Sequence, residues 1–142
     1  MRLYLDTSAL VKLYVDEEGA TTVRAASHEA DLLTTSALAY VEARSAFARR
    51  RHEGALSPGE YRRVVRDLDE DWPRYLTIQV AESLIREAAR LAEGHRLRAY
   101  DAIHLASAAT ARREIGHPVV FASWDEPLER AARREGLEVL AR

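Results

Sequence analysis

The chain contains no cysteine and no asparagine, and it has one lysine (Lys12), one glutamine (Gln79) and one methionine (Met1). Without thiols there can be no disulfide, no zinc–thiolate site and no cysteine nucleophile. A bound metal would have to be held by oxygen or imidazole, and carboxylates favour Mg2+ or Mn2+. Long apolar runs are also missing. Nothing approaches the ~20 residues that a membrane span needs, and no apolar leader with a cleavage site precedes the first strand-like segment. The chain therefore reads as cytoplasmic, with no membrane partner. No Gly-x-Gly-x-x-Gly follows that first strand, which argues against a dinucleotide enzyme and an organic cofactor. A phosphatase with an aspartate nucleophile at position 6 would have an acid two residues on, where this chain has Ser8.

What is present is an ordinary globular balance: 142 residues, 47% hydrophobic and 31% charged, with a net charge of −2. Composition rules out disorder, and the length suits one domain spanning residues 1–142. The small net charge gives no global attraction to nucleic acid. Its distribution is more informative, because all basic residues but Lys12 are arginine, including the run Arg49-Arg50-Arg51. Arginine suits bidentate phosphate contact, although an ion-paired, solvated helix face explains any single arginine equally well.

Short apolar runs alternate with longer amphipathic stretches. Strands are expected at 2–5, 32–35, 76–80, 119–122 and 137–140. Helices are expected from Thr7 or Ser8 to about Tyr14, from Gly19 to Ala30, and from Ser36 to Gly54. In the last of these, Leu38, Val41, Ser45 and Ala48 share one face and read as buried. Ser57-Pro58-Gly59-Glu60 has the form of a capping box with proline at the first helical position, which starts a helix ending near Glu70, before Pro73. Further helices are expected at 82–93, stopped by Gly94, at 100–114, and at 126–135. Repeated strand-then-helix order without hairpin turns predicts an α/β fold with a mostly parallel sheet and helices on both faces.

Ligands in such sheets sit at the carboxyl ends of the strands, and four acids have a route there. Asp6 ends the first strand, and Asp125 lies just past the fourth. Glu42 lies in the second expected turn of the helix leaving the second strand, and Asp101 lies in the first turn of its own helix. Each follows or precedes apolar residues, where acids are rarely found unless paired, hydrogen-bonded or metal-bound. Clustered carboxylates raise one another's pKa, and a divalent cation removes that penalty. Singly, Asp6 and Asp125 read equally well as helix N-caps and Asp101 as a first-turn acid. Glu42 has no such role.

Four segments together, Leu5-Asp6-Thr7-Ser8-Ala9-Leu10, Ala39-Tyr40-Val41-Glu42, Tyr100-Asp101-Ala102-Ile103-His104-Leu105-Ala106 and Ser123-Trp124-Asp125, resemble the PIN-domain family. The resemblance is greatest to the VapC-like toxins of type II toxin–antitoxin pairs, and it covers essentially the whole chain. It implies a Rossmann-like α/β/α sandwich and Mg2+- or Mn2+-dependent endonucleolytic cleavage of RNA. By position, Asp6, Glu42 and Asp101 would be the core metal ligands, and Asp125 would complete the acidic set. Ser8 would hydrogen-bond within the site, and Ser123 stands where the family often has threonine. The family's toxins commonly form homodimers and are silenced by an antitoxin, in some cases through a basic side chain that reaches the acidic pocket. Lys12, Arg44 and Arg98 are candidates to neutralise phosphate charge, and His104, three positions after Asp101, is a candidate to hydrogen-bond a ligand carboxylate or to contact RNA, a packed helix histidine being preferred over a direct metal ligand. The other readings are a PIN-type RNA-processing nuclease without a toxin role, and a non-catalytic module that binds RNA or protein.

Overall fold

The computed structural model describes all residues from Met1 to Arg142. Five strands form one parallel sheet: β1 (Arg2–Leu5), β2 (Leu32–Ser36), β3 (Leu76–Ile78), β4 (Val120–Ala122) and β5 (Glu138–Val139). Their spatial order is β3-β2-β1-β4-β5, and every neighbouring pair is parallel. Seven helices complete the chain: α1 (Thr7–Lys12), α2 (Ala20–Glu29), α3 (Ala39–His52), α4 (Pro58–Asp71), α5 (Glu82–His95), α6 (Ala99–Ile115) and α7 (Glu126–Arg134). None is long and apolar enough to cross a membrane.

Strand side chains alternate between two faces, and here they feed two cores. Leu3, Leu5 and Ala122 pack with α1–α4 residues such as Leu10, Val23, Phe47 and Leu68. Tyr4 and Phe121 point the other way, packing with Leu105 of α6 and Leu128, Ala131 and Ala132 of α7. Leu84 and Ala88 of α5 meet Ala102 and Ala106 of α6 on that same side. The result is the α/β/α sandwich that strand–helix alternation implied.

The capping box at Ser57 forms as expected: Ser57 Oγ accepts from the Glu60 amide, and the Glu60 carboxylate accepts from the Ser57 amide. Three local expectations are corrected. Gly94 does not stop α5; the helix runs on to His95 and ends at Arg96, whose left-handed backbone (φ 55°) closes it. Ser36 is the last residue of β2, and α3 begins only at Ala39, so Glu42 falls in the first turn. The buried face of α3 is Ala39, Ala43 and Phe47, while Val41, expected inside, is 59% exposed. Phe47 is the large anchor on the true inner face, and the alanines beside it carry too little apolar weight to mark that face in the sequence.

Candidate functional site

The order in which strands are added to the sheet reverses between β1 and β4. The excursion after β1 runs to β2 and β3 on one side, and β4 leads to β5 on the other. At such a switch point the loops leaving the two strands diverge and open a crevice at their carboxyl ends. Asp6 leaves β1 there, its amide donating to the Ala122 carbonyl across the strand pair (3.1 Å). Ser123, Trp124 and Asp125 leave β4 beside it.

A web of short hydrogen bonds fixes this corner. Asp6 caps α1, its Oδ1 accepting from the Ala9 amide (2.9 Å) and from Ser8 Oγ (2.7 Å). Ser8 Oγ in turn accepts from the Trp124 amide (3.0 Å), tying the loop after β1 to the loop after β4. Ser123 Oγ accepts from the Asp125 amide, and Asp125 caps α7 by accepting from the Leu128 amide. The capping roles that compete with a functional one in the sequence are thus occupied, without removing either acid from the corner.

Glu42 reaches the same place from α3. Its Oε1 accepts from Thr7 Oγ1 (2.6 Å), next in chain to Asp6, and lies 2.8 Å from His104 Nε2. His104 is buried at 2% exposure, and its Nδ1 lies 2.8 Å from the Tyr4 hydroxyl. Asp101 sits one turn earlier on α6. Arg98 joins the last two acids, its Nε at 3.0 Å from Asp101 and its Nη2 at 3.2 Å from Asp125.

Electrostatics separates the acids. Burial pushes the Asp6 carboxyl up, outweighing the donors around it; it is 4% exposed and forms no ion pair. Burial also opposes ionisation of Glu42, but the bonds from His104 and Thr7 outweigh that and hold it below the usual carboxylate range. Burial keeps the Tyr4 phenol well above its ordinary value, so Tyr4 keeps its proton beside Nδ1. The Glu42 carboxylate can only accept, so His104 Nε2 donates to it.

As the side chains stand, no three acidic or histidine groups converge closely enough to hold a metal ion. The positions of Asp101, Asp125 and Glu42 are set by Arg98 and His104 instead. The donor chemistry nevertheless suits a hard cation: four carboxylates from four elements, one of them buried without a counter-charge.

Two basic residues expected near RNA are engaged elsewhere. Lys12 is buried, bonded to Glu17 (3.1 Å) and placed over the Trp124 ring. Arg44 donates to the Tyr40 hydroxyl and lies over the Tyr40 ring, two residues and roughly half a helical turn from Glu42. Neither points at the acids. His104 lies within the network and is shielded from solvent. Sequence reasoning missed Thr7 and Tyr4, the two partners that position His104 and Glu42. A buried tyrosine in the middle of an otherwise aliphatic strand was the available signal.

Comparison with known proteins gives concordant results. A family model described as the PIN domain matches residues 3–134. The chain is 34% identical over 138 residues to Ribonuclease VapC45 of Mycobacterium tuberculosis, covering 96% of this chain and 93% of that one. Among solved structures, it resembles the sarcin–ricin loop-cleaving toxin VapC20 of M. tuberculosis (TM-score 0.68, 16% identity, 91% of this chain and 94% of that one). It also resembles FitAcB of Neisseria gonorrhoeae (TM-score 0.66, 19% identity, 98% of this chain and 96% of that one).

Proposed function

The chain belongs to the PIN-domain family, and from that premise we propose that it is a divalent-metal-dependent endoribonuclease acting as the toxin of a toxin–antitoxin pair. The observation that carries this reading is that Asp6 and Asp125 leave neighbouring strands at the β1/β4 switch point, with Glu42 tied in through Thr7 and Asp101 through Arg98. The 34% identical relative named as a ribonuclease supports the reaction class.

We assign Asp6, Glu42, Asp101 and Asp125 as the residues that would hold Mg2+ or Mn2+. A cation held there would neutralise charge on a scissile phosphate and lower the pKa of a water that attacks phosphorus. The chain's own residues prepare that site. Asp6 supplies a buried carboxylate whose ionisation is costly until a cation arrives. Tyr4 and Thr7 fix the position of His104 and the rotamer of Glu42. Ser8 and Ser123 hold the two loops in register. Arg98 is exposed at 79% and bridges the outer pair of acids, Asp101 and Asp125. A cation held by those two acids would displace its guanidinium, which would then be free at the rim to meet phosphate.

A cognate antitoxin and a homodimer belong to the same proposal. The antitoxin rests on the family resemblance and on the likeness to the toxin–antitoxin complex of Klebsiella pneumoniae (TM-score 0.57, 15% identity, 83% of each chain), and the homodimer on the family resemblance alone. The test is incubation of purified protein with single-stranded RNA in Mg2+ or Mn2+. Internal cleavage, abolished by EDTA and by Asp6→Asn or Asp101→Asn, is expected; an Asp6→Asn protein that cuts as fast as wild type refutes the assignment. Growth arrest on expression, relieved by a neighbouring antitoxin gene, tests the toxin role.

A further inference from the structure

The apolar stripe of α3 that the sequence assigns to the core instead faces outward, and it ends at the acidic corner. Leu38, Val41, Ser45 and Arg49 recur every three or four residues, so they share one helix face. They line a cleft of about 470 Å³ whose other wall is Tyr100 and whose inner end is Thr7 and Glu42. That volume lies within the range of small-ligand clefts, about 300–1,000 Å³. Tyr100 directly precedes Asp101, is 61% exposed and stacks on no other ring of the protein. Arg49 is exposed and has no acidic partner, whereas the adjacent Arg50 is held by Glu17.

We infer that this cleft is a nucleotide subsite: it takes the base and sugar of one unpaired ribonucleotide beside the scissile phosphate, and Arg49 meets the next phosphate along. The inference rests on the ribonuclease reading and deepens it by naming how substrate is gripped. Three features favour a nucleotide over a protein helix. The cleft is lined by the Glu42 carboxylate itself and by Thr7 and Tyr100, next in chain to Asp6 and Asp101. It offers one exposed aromatic face, which is what base stacking needs. At its far end it places a free guanidinium, suited to bidentate phosphate contact. A base can enter only if it is unstacked and unpaired, so the substrate is single-stranded at the cut.

The test uses a short single-stranded RNA that the wild-type protein cuts at one bond, with an abasic residue moved along it. At one position next to that bond, loss of the base is expected to lower wild-type kcat/KM about tenfold. Tyr100→Ala is expected to cost a similar factor on intact RNA and to erase the abasic penalty at that position. Tyr100→Phe, which keeps the ring, is expected to retain it, and Arg49→Ala is expected to raise KM and flatten its salt dependence. An abasic penalty of equal size in wild type and Tyr100→Ala overturns the subsite while leaving the nuclease intact. So does a change from dimer to monomer by light scattering in Tyr100→Ala with kcat/KM on RNA unaltered, which would make the face a contact between copies. A wild-type protein that cuts no RNA removes the nuclease reading, and the subsite with it.

Discussion

His104 Nε2 stands 2.8 Å from Glu42 Oε1, linking a buried ring on α6 to an acid of the site that caps no helix. Tyr4 on the central strand holds the other ring nitrogen, so the orientation of Glu42 is anchored in the sheet. His104→Ala is expected to weaken Mn2+ binding and RNA cleavage by about 10- to 100-fold, the usual effect of removing a group that orients a ligand. The same change strands the Tyr4 hydroxyl in the core and costs about 1–3 kcal/mol. Tyr4→Phe in the His104→Ala background separates the effects, because it is expected to restore stability but not metal affinity. Calorimetric Mn2+ titration and urea unfolding read the two quantities.

Asp6 is a buried acid whose ionisation is disfavoured by the fold. Its pKa is raised on folding, so the folded state binds more protons than the unfolded state in the window between the two values. Stability is therefore lost as pH rises through that window. Asp6→Asn is expected to raise the Tm in EDTA, by about 2–4 °C for each kcal/mol relieved at this chain length. The difference from wild type should shrink as pH falls toward about 4. Added Mn2+ should raise the wild-type Tm and leave that of the variant unmoved.

Arg98 bridges Asp101 and Asp125 and competes with a cation for the same oxygens. Its exposure limits how strongly it competes. Arg98→Ala is expected to tighten Mn2+ binding about two- to tenfold in low salt, in keeping with the modest strength of exposed ion pairs. The gain should diminish as salt screens the wild-type bridge. Weaker Mn2+ binding in the variant would show that Arg98 supports the metal site and does not compete with it.

Gly19 begins α2 with φ 88°, and a Cβ there would lie 2.6 Å from the Trp124 ring. Trp124 precedes Asp125, and its amide is bound by Ser8. Gly19→Ala thus meets both backbone strain and a clash, with an expected loss of about 1–3 kcal/mol in urea unfolding. The displaced ring should also disturb the loop carrying Asp125, so Mn2+ affinity is expected to fall with stability.

Much of this architecture was legible in the sequence because it is local or set by alternation. Strand ends at Asp6 and Ala122, the capping box at Ser57 and the parallel order of strands and helices all follow from short patterns. The inner face of α3 was not legible: Leu38 and Val41 outweigh Ala39 and Ala43 in any hydrophobic count, although the small residues are the ones that fit against the neighbouring helices. The link from Tyr4 through His104 to Glu42 depends on bringing β1, α6 and α3 together, which no local pattern encodes. Lys12 and Arg44 lie within a turn or two of acids in sequence, but the structure gives both to other partners. Proximity along a helix fixes the face only when the spacing is three or four.

The central claim is that the four acids hold a divalent cation once Arg98 gives way. Crystals grown with Mn2+ and measured at an anomalous wavelength test it most directly. The expected result is an anomalous peak within about 2–2.5 Å of oxygens from Asp6 and at least two of Glu42, Asp101 and Asp125, with the Arg98 guanidinium withdrawn. A saturated crystal with no peak in that corner, and Arg98 still bridging Asp101 and Asp125, would contradict it.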